Sequence, residues 1–322
     1  MIKNQKILIT GGAGFIGSHI TERLVYLGAD VVVLDDFSRG LMKNFNGIKN
    51  KKKLEIVRGS ILNKKLVKKL SKNCLYIFHE AAIPLLDCEH NPRKCININT
   101  IGTFNVCESA FVNKVKKIIF SSSSSVYGEG KYLPTDEEHP FNNRNFYGAT
   151  KIASEQLLIS FANKFNQKFT CLRYLNIYGP RQNVNSKYSG IVIKIIKDIH
   201  FGKSTILDHN GKNTLDLVYV GDAVEANLLA LSPEMSNKIY NISSGEETKL
   251  INLYHLLADL MQRNIKPTLK PGGDNFVNRR FGTFFKIQKD AGWHPKIKLK
   301  TGLSKTIDWY KSTNINKLYG NK

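Results

Sequence analysis

The chain has 322 residues, 42% of them hydrophobic and 23% charged, and a formal net charge of +22 at pH 7. It is long enough to bury one or two substantial cores. Its lysines are scattered, and the densest runs, at 49–55 and 63–72, lack interleaved aromatic residues, so we expect no binding to nucleic acid. No apolar run approaches the roughly 18 residues of a membrane helix, and we expect neither a membrane span nor a signal peptide.

The cysteine pattern indicates thiols. Five cysteines occur without C-x-x-C spacing: Cys74, Cys88, Cys95, Cys107 and Cys171. Four lie in segments that resemble strands or helices, so we expect buried or incidental thiols rather than disulfides or a zinc site. Together with the lack of a membrane segment, this predicts a cytoplasmic protein without a bound metal.

Short apolar segments rich in Val, Ile and Phe alternate with helical patterns through the first half of the chain. The predicted strands are residues 6–10, 31–35, 54–57, 75–78, 117–120 and 169–174. They are mostly apolar on both faces, as buried parallel strands are. The segment after Tyr147 has apolar residues at i, i+3, i+4 and i+7, which predicts a helix. This alternation predicts an α/β fold with a doubly wound parallel (Rossmann) sheet.

A glycine-rich turn follows the first predicted strand. Gly11, Gly14 and Gly17 have G-x-x-G-x-x-G spacing, which lets the backbone approach a pyrophosphate at a helix N-terminus. The second strand ends in Asp35, 18 residues after Gly17, where a carboxylate can bind the adenosine ribose. Because this carboxylate repels a 2′-phosphate, NAD is favoured over NADP; Arg39 is the nearby residue that does not fit this preference.

The strand–helix alternation becomes irregular from about residue 176. We therefore predict an NAD-binding domain over residues 1–175, to which a segment near 214–245 returns. Residues 176–322 are predicted to form a smaller α/β domain that binds the substrate.

Tyr147 and Lys151 lie four residues apart in a predicted helix, and therefore on one face of it. A free phenol has a pKa near 10 and is a poor base at neutral pH. A neighbouring ammonium and a cationic nicotinamide ring favour the phenolate; about three pKa units correspond to roughly 4 kcal/mol. Alone, this pattern is also typical of a tyrosine packed at a helix start beside a solvated lysine. The glycine turn and the serines at 121–125 favour catalysis.

Six segments occur together in this order: "TGGAGFIG", "HEAA", "NTIGT", "SSSSSVYG", "YGATK" and "LRYLNIYGPRQ". In order and spacing they resemble the extended short-chain dehydrogenase/reductases, in particular the NAD-dependent nucleotide-sugar epimerases and dehydratases. The resemblance covers nearly the whole chain. It implies an enzyme that binds NAD and a nucleotide sugar, with a UDP-sugar favoured.

The resemblance also implies roles for individual residues. Tyr147 is the catalytic base, Ser123 hydrogen-bonds the reacting hydroxyl, and Lys151 holds the nicotinamide ribose and lowers the pKa of the tyrosine. Asn99 supports the catalytic helix and its bound water. The implied cofactor contacts are Gly11, Gly14, Phe15, Ile16, Gly17, Asp35, Asp36, Ser60, Ile61, Ala81, Ala82, Asn99, Ser121, Tyr147, Lys151 and Tyr174. The implied substrate contacts are Ser123, Ser124, Ser125, Tyr147, Asn176, Arg181, Lys270 and Arg280.

The residues after Ser123 discriminate among the reactions of this family. Its 4,6-dehydratases resemble "STDEVYG", with an Asp–Glu pair that removes water, and its decarboxylases tend to keep the Glu. This chain has Ser124 and Ser125 instead, and a serine is a poor proton donor to a departing hydroxyl. The 4-epimerases, which need only Ser, Tyr, Lys and NAD, fit better. Ser121 and Ser122 are expected to satisfy local backbone groups.

Three positions depart from the family pattern. Ser60 replaces an acidic residue that often contacts adenine, and "GTFFKI" at 282–287 replaces "ADISKA". Leu215 stands where an Arg usually binds a substrate phosphate in this family, so either that contact comes from elsewhere or the substrate differs. The candidates are Arg181, Lys270, Arg279 and Arg280; for the last three a solvated surface charge is an equal alternative.

The predicted function is therefore NAD-dependent inversion of C4 in a UDP-hexose, of the glucose/galactose, N-acetylhexosamine or hexuronate type, through a transient 4-keto sugar. Two alternatives stay open. One is a dehydrogenase or reductase, or an epimerase at another carbon, and the other is a non-catalytic dinucleotide-binding protein. The resemblance also implies a homodimer in which helices near 99–112 and 150–165 pair with their copies. Phe104, Leu158 and Phe161 are apolar enough for this contact, and packing inside the chain's own core explains them equally.

Overall fold

The computed structural model of the protein describes residues 2–184, 190–273 and 277–313. The strands in this part of the chain are β1 (Lys6–Thr10), β2 (Asp30–Asp35), β3 (Leu54–Arg58), β4 (Tyr76–His79), β5 (Lys117–Ser123), β6 (Lys168–Tyr174), β7 (Asn176–Tyr178), β8 (Ile206–Leu207), β9 (Thr214–Leu215), β10 (Leu217–Tyr219), β11 (Lys238–Ile242), β12 (Thr248–Lys249) and β13 (Thr268–Leu269). The α-helices are α1 (Phe15–Tyr26), α2 (Lys64–Leu70), α3 (Leu85–His90), α4 (Pro92–Cys95), α5 (Gly102–Val112), α6 (Phe146–Phe165), α7 (Ile191–His200), α8 (Val220–Leu229), α9 (Leu250–Leu260), α10 (Phe285–Ala291) and α11 (Leu299–Ser312).

Seven parallel strands form one sheet, in the order β11-β6-β5-β4-β1-β2-β3. The order reverses between β1 and β4, which places a crevice at the carboxyl ends of these strands. The six strands predicted from the sequence are all present, with bounds that differ by at most three residues. The predicted doubly wound α/β fold is confirmed.

Side chains that alternate along the strands build a separate apolar core on each face of the sheet. Ile7 and Ile9 of β1 point into the core that contains α1 and α8, whereas Leu8 points into the core that contains α2, α5 and α6. Both faces are covered, which explains why these strands are apolar throughout.

A third apolar cluster joins α7, α9 and α11 to the short strands of the C-terminal half. Strand β11 nevertheless belongs to the main sheet, where Lys238 to Ile242 pair with Thr170 to Tyr174 of β6. The division of the chain at residue 175 stays a prediction, because the segments on either side of it share this sheet.

Helix α6 carries the Tyr–Lys pair and has capping residues at both ends. The side chain of Asn145 accepts a hydrogen bond from the Gly148 N–H at 2.8 Å, and Asn166 ends the helix in the left-handed conformation at φ 56°. Leu158 is only 1% exposed and packs inside the chain's own core, so of the two alternatives for this residue the structure supports intramolecular packing and not a dimer contact. Phe161 is also buried, whereas Phe104 is 40% exposed.

The expectation that all cysteines are thiols is wrong for two of the five. Cys88 at α3 and Cys95 at α4 form a disulfide with a Cα–Cα distance of 4.9 Å. The two short helices turn back on each other, and this brings together residues seven apart in sequence. Cys74, Cys107 and Cys171 are buried thiols, as expected.

Within the described ranges, no helix is both long and apolar enough to cross a membrane.

Candidate active site

A cleft of about 380 Å³ opens at the carboxyl ends of the central strands. It is bounded by the glycine turn after β1, by residues that follow β2, β3 and β4, and by Ser121, Tyr147, Lys151 and Tyr174. Every predicted cofactor contact except Asn99 lines this cleft. Parallel sheets bind their ligands at this edge, so residues far apart in sequence meet here because of the topology.

The glycine turn has no room for side chains. Gly11 has a φ of +69°, and a Cβ there would lie 2.6 Å from the Ala81 nitrogen. A Cβ on Gly17 would lie 2.3 Å from the Gly11 carbonyl oxygen. Helix α1 begins after Gly14 without a side-chain cap, so its first N–H groups face the cleft as anion donors. This turn therefore fits a dinucleotide pyrophosphate.

Asp35 lies at the end of β2 and lines the cleft. Its carboxylate accepts hydrogen bonds from the backbone N–H groups of Ala13 and Phe37, both at 2.9 Å, so it also fixes the glycine turn. Burial raises the pKa of Asp35, against the effect of these hydrogen bonds. Arg39, which did not fit the preference for NAD, donates to Asp87 at 2.6 Å, so its charge is already paired. A carboxylate at this position fits the ribose hydroxyls of NAD.

The five serines at the end of β5 are not equivalent. Ser121 and Ser122 donate to the carboxylates of Glu80 and Glu155, both at 2.5 Å, so the expectation that they satisfy backbone groups is wrong. Ser123 accepts a hydrogen bond from the Ser125 N–H at 3.1 Å. The Ser124 hydroxyl is buried and has no hydrogen-bond partner among the described residues.

Tyr147 and Lys151 both face the cleft. The Tyr147 hydroxyl shares a hydrogen bond with Ser123, and this bond and the charge of Arg280 oppose the burial that raises its pKa to about 12. Lys151 donates to the Ser121 carbonyl oxygen at 2.6 Å, and its Nζ lies 5.6 Å from the centre of the Tyr147 ring. Burial lowers the pKa of Lys151 to about 8. Of the three predicted catalytic residues, Tyr147 and Lys151 thus line the cleft, and Ser123 contacts Tyr147 without lining it.

Asn99 lies behind the cleft, in a π-helical turn (Ile96–Ile101), and links two of its walls. Its side chain accepts from the Ile83 N–H at 2.7 Å and donates to the Ile83 carbonyl at 3.0 Å. Thr150 of α6 lies 3.1 Å from the same amide nitrogen. Asn99 therefore holds the turn after Ala82 against the catalytic helix and does not line the cleft.

The four cationic candidates for the substrate phosphates differ in their ion-pair partners and in whether they lie near the cleft. Arg279 forms a bidentate ion pair with Glu247, at 2.7 Å for both contacts. Arg280 has no hydrogen bond or ion pair through its guanidinium in the described part of the chain, and its charge acts on Tyr147. Burial lowers the pKa of Arg280, and the charges of Tyr147 and Glu129 oppose this effect.

The remaining substrate candidates are not gathered at Tyr147. Arg181 lines the cleft but pairs with Glu22 of α1 at 2.5 Å. Asn176 donates to the Asp216 carbonyl at 3.0 Å, and Lys270 is exposed and outside the cleft lining. Leu215 packs against the third apolar cluster, beside Thr214, whose carbonyl accepts from the Arg280 N–H at 3.3 Å.

Sequence reasoning missed two carboxylates next to the serines. Glu80 was visible in the quoted "HEAA" segment, but nothing in the sequence placed it against Ser121. Glu155 follows Lys151 by one helical turn and forms a buried ion pair with Arg173 at 2.7 Å. The i+4 spacing on the catalytic helix was the available signal for Glu155.

The fold and this cleft define a protein with the dinucleotide-binding site of an α/β enzyme. A model of the NAD dependent epimerase/dehydratase family matches residues 7–243. The chain belongs to this family. The predicted family and the predicted NAD cofactor are confirmed.

Individual relatives cover almost the whole chain. It is 35% identical over 318 residues to a putative UDP-glucose 4-epimerase of Methanocaldococcus jannaschii, which covers 96% of this chain and 99% of that protein. It is 32% identical to a UDP-N-acetyl-alpha-D-glucosaminuronate decarboxylase of Bacillus cytotoxicus, with coverage of 95% and 98%. The solved UDP-glucose 4-epimerase of Thermotoga maritima with UDP-glucose superposes with a TM-score of 0.91, at 32% identity, over 96% of this chain and 99% of that one.

Proposed function

We propose that this protein is an NAD-dependent epimerase that inverts C4 of a UDP-hexose through a transient 4-keto sugar. The observation that carries the proposal is the Tyr147–Ser123 hydrogen bond in a dinucleotide cleft, followed by serines rather than carboxylates at 124 and 125. The relatives named as UDP-glucose 4-epimerases support the same reaction.

Tyr147 takes the proton from the sugar 4-hydroxyl as C4 is oxidised, and returns it when C4 is reduced on the opposite face. The glycine turn and Asp35 would hold NAD, which would supply a hydride acceptor and donor for C4. Ser123 holds the reacting hydroxyl beside Tyr147. The Arg280 charge and the cationic nicotinamide ring both favour the phenolate, against the burial that raises the pKa of Tyr147 to about 12.

The carboxylates near the site do not favour dehydration or decarboxylation. Glu80 accepts from Ser121, and Glu155 accepts from Ser122 and is neutralised by Arg173. Neither hydrogen-bonds to Ser124 or Ser125, the positions that carry the acid pair in the dehydratases. Among the described residues, the site therefore holds the groups needed for proton transfer at one hydroxyl, and no carboxylate hydrogen-bonds to Ser124 or Ser125.

Arg280 is the proposed ligand of the substrate diphosphate. The Arg280 backbone N–H bonds to the carbonyl of Thr214, and Thr214 precedes Leu215, where the family has its arginine. Arg280 therefore lies on the segment adjacent to that position. The partly buried Arg280 guanidinium has no partner among the described residues, and its charge acts on Tyr147, so a diphosphate bound there would supply the missing anion. Arg279, paired with Glu247, is proposed to have a structural role.

We also propose a homodimer formed through α5 and α6. Exposed apolar side chains follow one side of this helix pair: Ile101, Phe104, Phe111, Val112 and Phe165. Phe111 and Phe165 stack with ring centres 4.3 Å apart, so the two helices present one continuous aromatic surface. A patch of this kind on a water-soluble surface is typical of a protein interface. Light scattering at low micromolar concentration is expected to give the mass of a dimer, and a monomer mass would overturn this proposal.

The test of the proposed function is a substrate screen read by anomeric-proton NMR. UDP-glucose, UDP-galactose, UDP-N-acetylglucosamine and UDP-glucuronate are each incubated with the protein, with the GDP- and dTDP-sugars as controls. We expect interconversion of a C4 pair of UDP-sugars with free NAD(H) unchanged. Consumption of free NAD(H) in step with product would instead indicate a dehydrogenase, and no product from any sugar would indicate a non-catalytic binding protein.

A further inference from the structure

A carboxylate that the proposed proton transfer does not use lies inside the catalytic cleft. Glu80 follows β4 and lines the cleft together with Ser121, Tyr147 and Lys151. It is partly buried, and its Oε1 accepts a hydrogen bond from the Ser121 hydroxyl at 2.5 Å. An ionisable group in this position needs a reason, because burying a carboxylate costs free energy.

Ser121 connects Glu80 to the catalytic lysine. The Ser121 hydroxyl bonds to Glu80 and lies 3.0 Å from the Tyr174 hydroxyl, which Asn227 holds at 2.6 Å. The Ser121 carbonyl oxygen accepts from Lys151 Nζ at 2.6 Å. Ser121 thus contacts Glu80 through its side chain and Lys151 through its backbone carbonyl.

The charges around Lys151 give Glu80 a second role. The titratable groups that act on Lys151 are Glu80 and His79 at the end of β4, Glu155 on its own helix, and Cys171 on β6. Tyr147 and Tyr174 also face Glu80. Glu155 is already neutralised by the bidentate contact with Arg173, at 3.0 and 2.7 Å. In the described part of the chain, Lys151 has no ion pair within 4.0 Å, so Glu80 is its main uncompensated anion.

We propose that Glu80 is a positioning residue for Lys151. Its ionised carboxylate fixes Ser121, and through Ser121 and through space it keeps the Lys151 ammonium protonated and in place for the cofactor. This proposal rests on the proposed role of Lys151 beside Tyr147.

The proposal has a consequence for pH dependence. Burial raises the pKa of Glu80 to about 7, against the Ser121 hydrogen bond and the Lys151 charge, and burial lowers the pKa of Lys151 to about 8, against the Glu80 charge. The Glu80 charge also raises the pKa of Tyr147. Removal of this charge therefore lowers the pKa of both Lys151 and Tyr147, and the whole pH profile moves to lower pH.

The test compares Glu80→Gln with Glu80→Asp, using NADH fluorescence to measure binding from pH 6 to pH 10. With Glu80→Gln, we expect the pH at which NADH binding weakens to fall by about one unit, because an opposing charge within the cleft is lost. Glu80→Asp keeps the charge and is expected to stay near the wild-type midpoint. Glu225→Gln removes a carboxylate from an exposed pair with Arg23 and is the control that leaves the midpoint unchanged.

If Glu80→Gln binds NADH with the wild-type midpoint, or if Glu80→Asp shifts as far as Glu80→Gln, the charge of Glu80 does not act on Lys151 and the proposal is wrong. If Glu80→Gln does not fold, the same titration is made with Glu80→Ala, for which a wild-type midpoint would likewise overturn the proposal. NADH binding needs no turnover, so these outcomes are distinct from a failure of the epimerase assay.

Discussion

The two ends of the proposed active site are built differently. The cofactor end, formed by the glycine turn, Asp35 and the residues after β4, lies on strands of four to six residues in one parallel sheet. The proposed substrate end is the region around Arg280, Leu215 and Asn176, which do not line the cleft and rest on strands of two or three residues. The cofactor end depends on backbone geometry, and the substrate end on side chains from distant segments. The first is therefore suited to one ligand, and the second to variation in substrate.

The largest expected effect falls where the two ends meet. Tyr147→Phe removes the hydroxyl that exchanges the substrate proton, and we expect the turnover number to fall about 1,000-fold or more. Binding of NADH is expected to stay within a few-fold of wild type, because the ring remains. Stopped assays with the active UDP-sugar measure the first quantity, and fluorescence titration measures the second. Full activity in this variant would remove Tyr147 from the mechanism.

The next effect is confined to the cofactor end. Gly17→Ala places a Cβ 2.3 Å from the Gly11 carbonyl oxygen, so the turn must shift away from its pyrophosphate geometry. We expect NADH affinity to fall about 100-fold or more, as the helix N-terminus moves from its ligand. Gly272→Ala is the matched control in the C-terminal half, since nothing lies within 4 Å of the new Cβ. Equal affinities for the two variants would show that the turn does not hold the cofactor.

A smaller effect is expected at the substrate end. Arg280→Gln removes the guanidinium proposed to bind the diphosphate, and we expect KM for the UDP-sugar to rise about 10- to 100-fold. Arg279→Gln breaks a half-exposed pair with Glu247 and is expected to change KM by less than about threefold. Steady-state kinetics on both variants check this. If Arg279→Gln has the larger effect, the assignment of the two arginines must be exchanged.

The smallest expected effect is on the pH dependence of stability, to which a buried histidine at the cofactor end contributes. His79, behind the cofactor end, is held between Thr10 at 2.7 Å and Thr103 at 2.9 Å, and burial lowers its pKa to about 3. In the unfolded chain His79 takes up a proton near pH 6.5, whereas in the folded protein it stays neutral down to about pH 3. The unfolding free energy is therefore unaffected by His79 above pH 6.5 and decreases as the pH falls from 6.5 towards 3. From pH 7.5 to 5.5, His79 is expected to cost about 1.4 kcal/mol of unfolding free energy.

Urea unfolding at these two pH values measures that loss. His79→Gln is expected to lose less stability on acidification than wild type, whatever its stability at pH 7.5. His209→Asn, in the C-terminal half, is the matched control and is expected to follow wild type. An unchanged pH dependence in His79→Gln would show that His79 takes up its proton in the folded state.

The cofactor end was predictable because its signals are local. The glycine spacing, the acidic end of β2 and the apolar strands each act within about 30 residues, and all the named cofactor contacts except Asn99 lie in the cleft. The place of β11 in the sheet depends on pairing with residues of β6 that lie 68 positions earlier (Lys238 with Thr170), and the sequence predicted only that some segment returns to this domain.

The substrate end was less predictable because the role of a residue there depends on which residue, far away in sequence, it pairs with. Arg279 and Arg280 are adjacent arginines that the sequence does not distinguish. Arg279 is the one that forms an ion pair, because Glu247 lies beside it in the fold. The Cys88–Cys95 disulfide was missed for a similar reason, since a spacing of seven matches no common motif and the turn between α3 and α4 brings the thiols together. Glu80 was visible in a motif, but its contact with Ser121 depends on the pairing of β4 with β5.

The central claim is oxidation and reduction of one carbon by a cofactor that stays bound. The most direct measurement uses the UDP-hexose that the protein inverts, with deuterium at C4, in ordinary water and with substoichiometric NAD. NMR and mass spectrometry of the product read the hydrogen isotope at C4. Retention of deuterium at the inverted C4 is the predicted result, because the same hydride returns to the sugar. Hydrogen from the solvent at C4 would contradict it, since inversion would then proceed without hydride transfer to the cofactor.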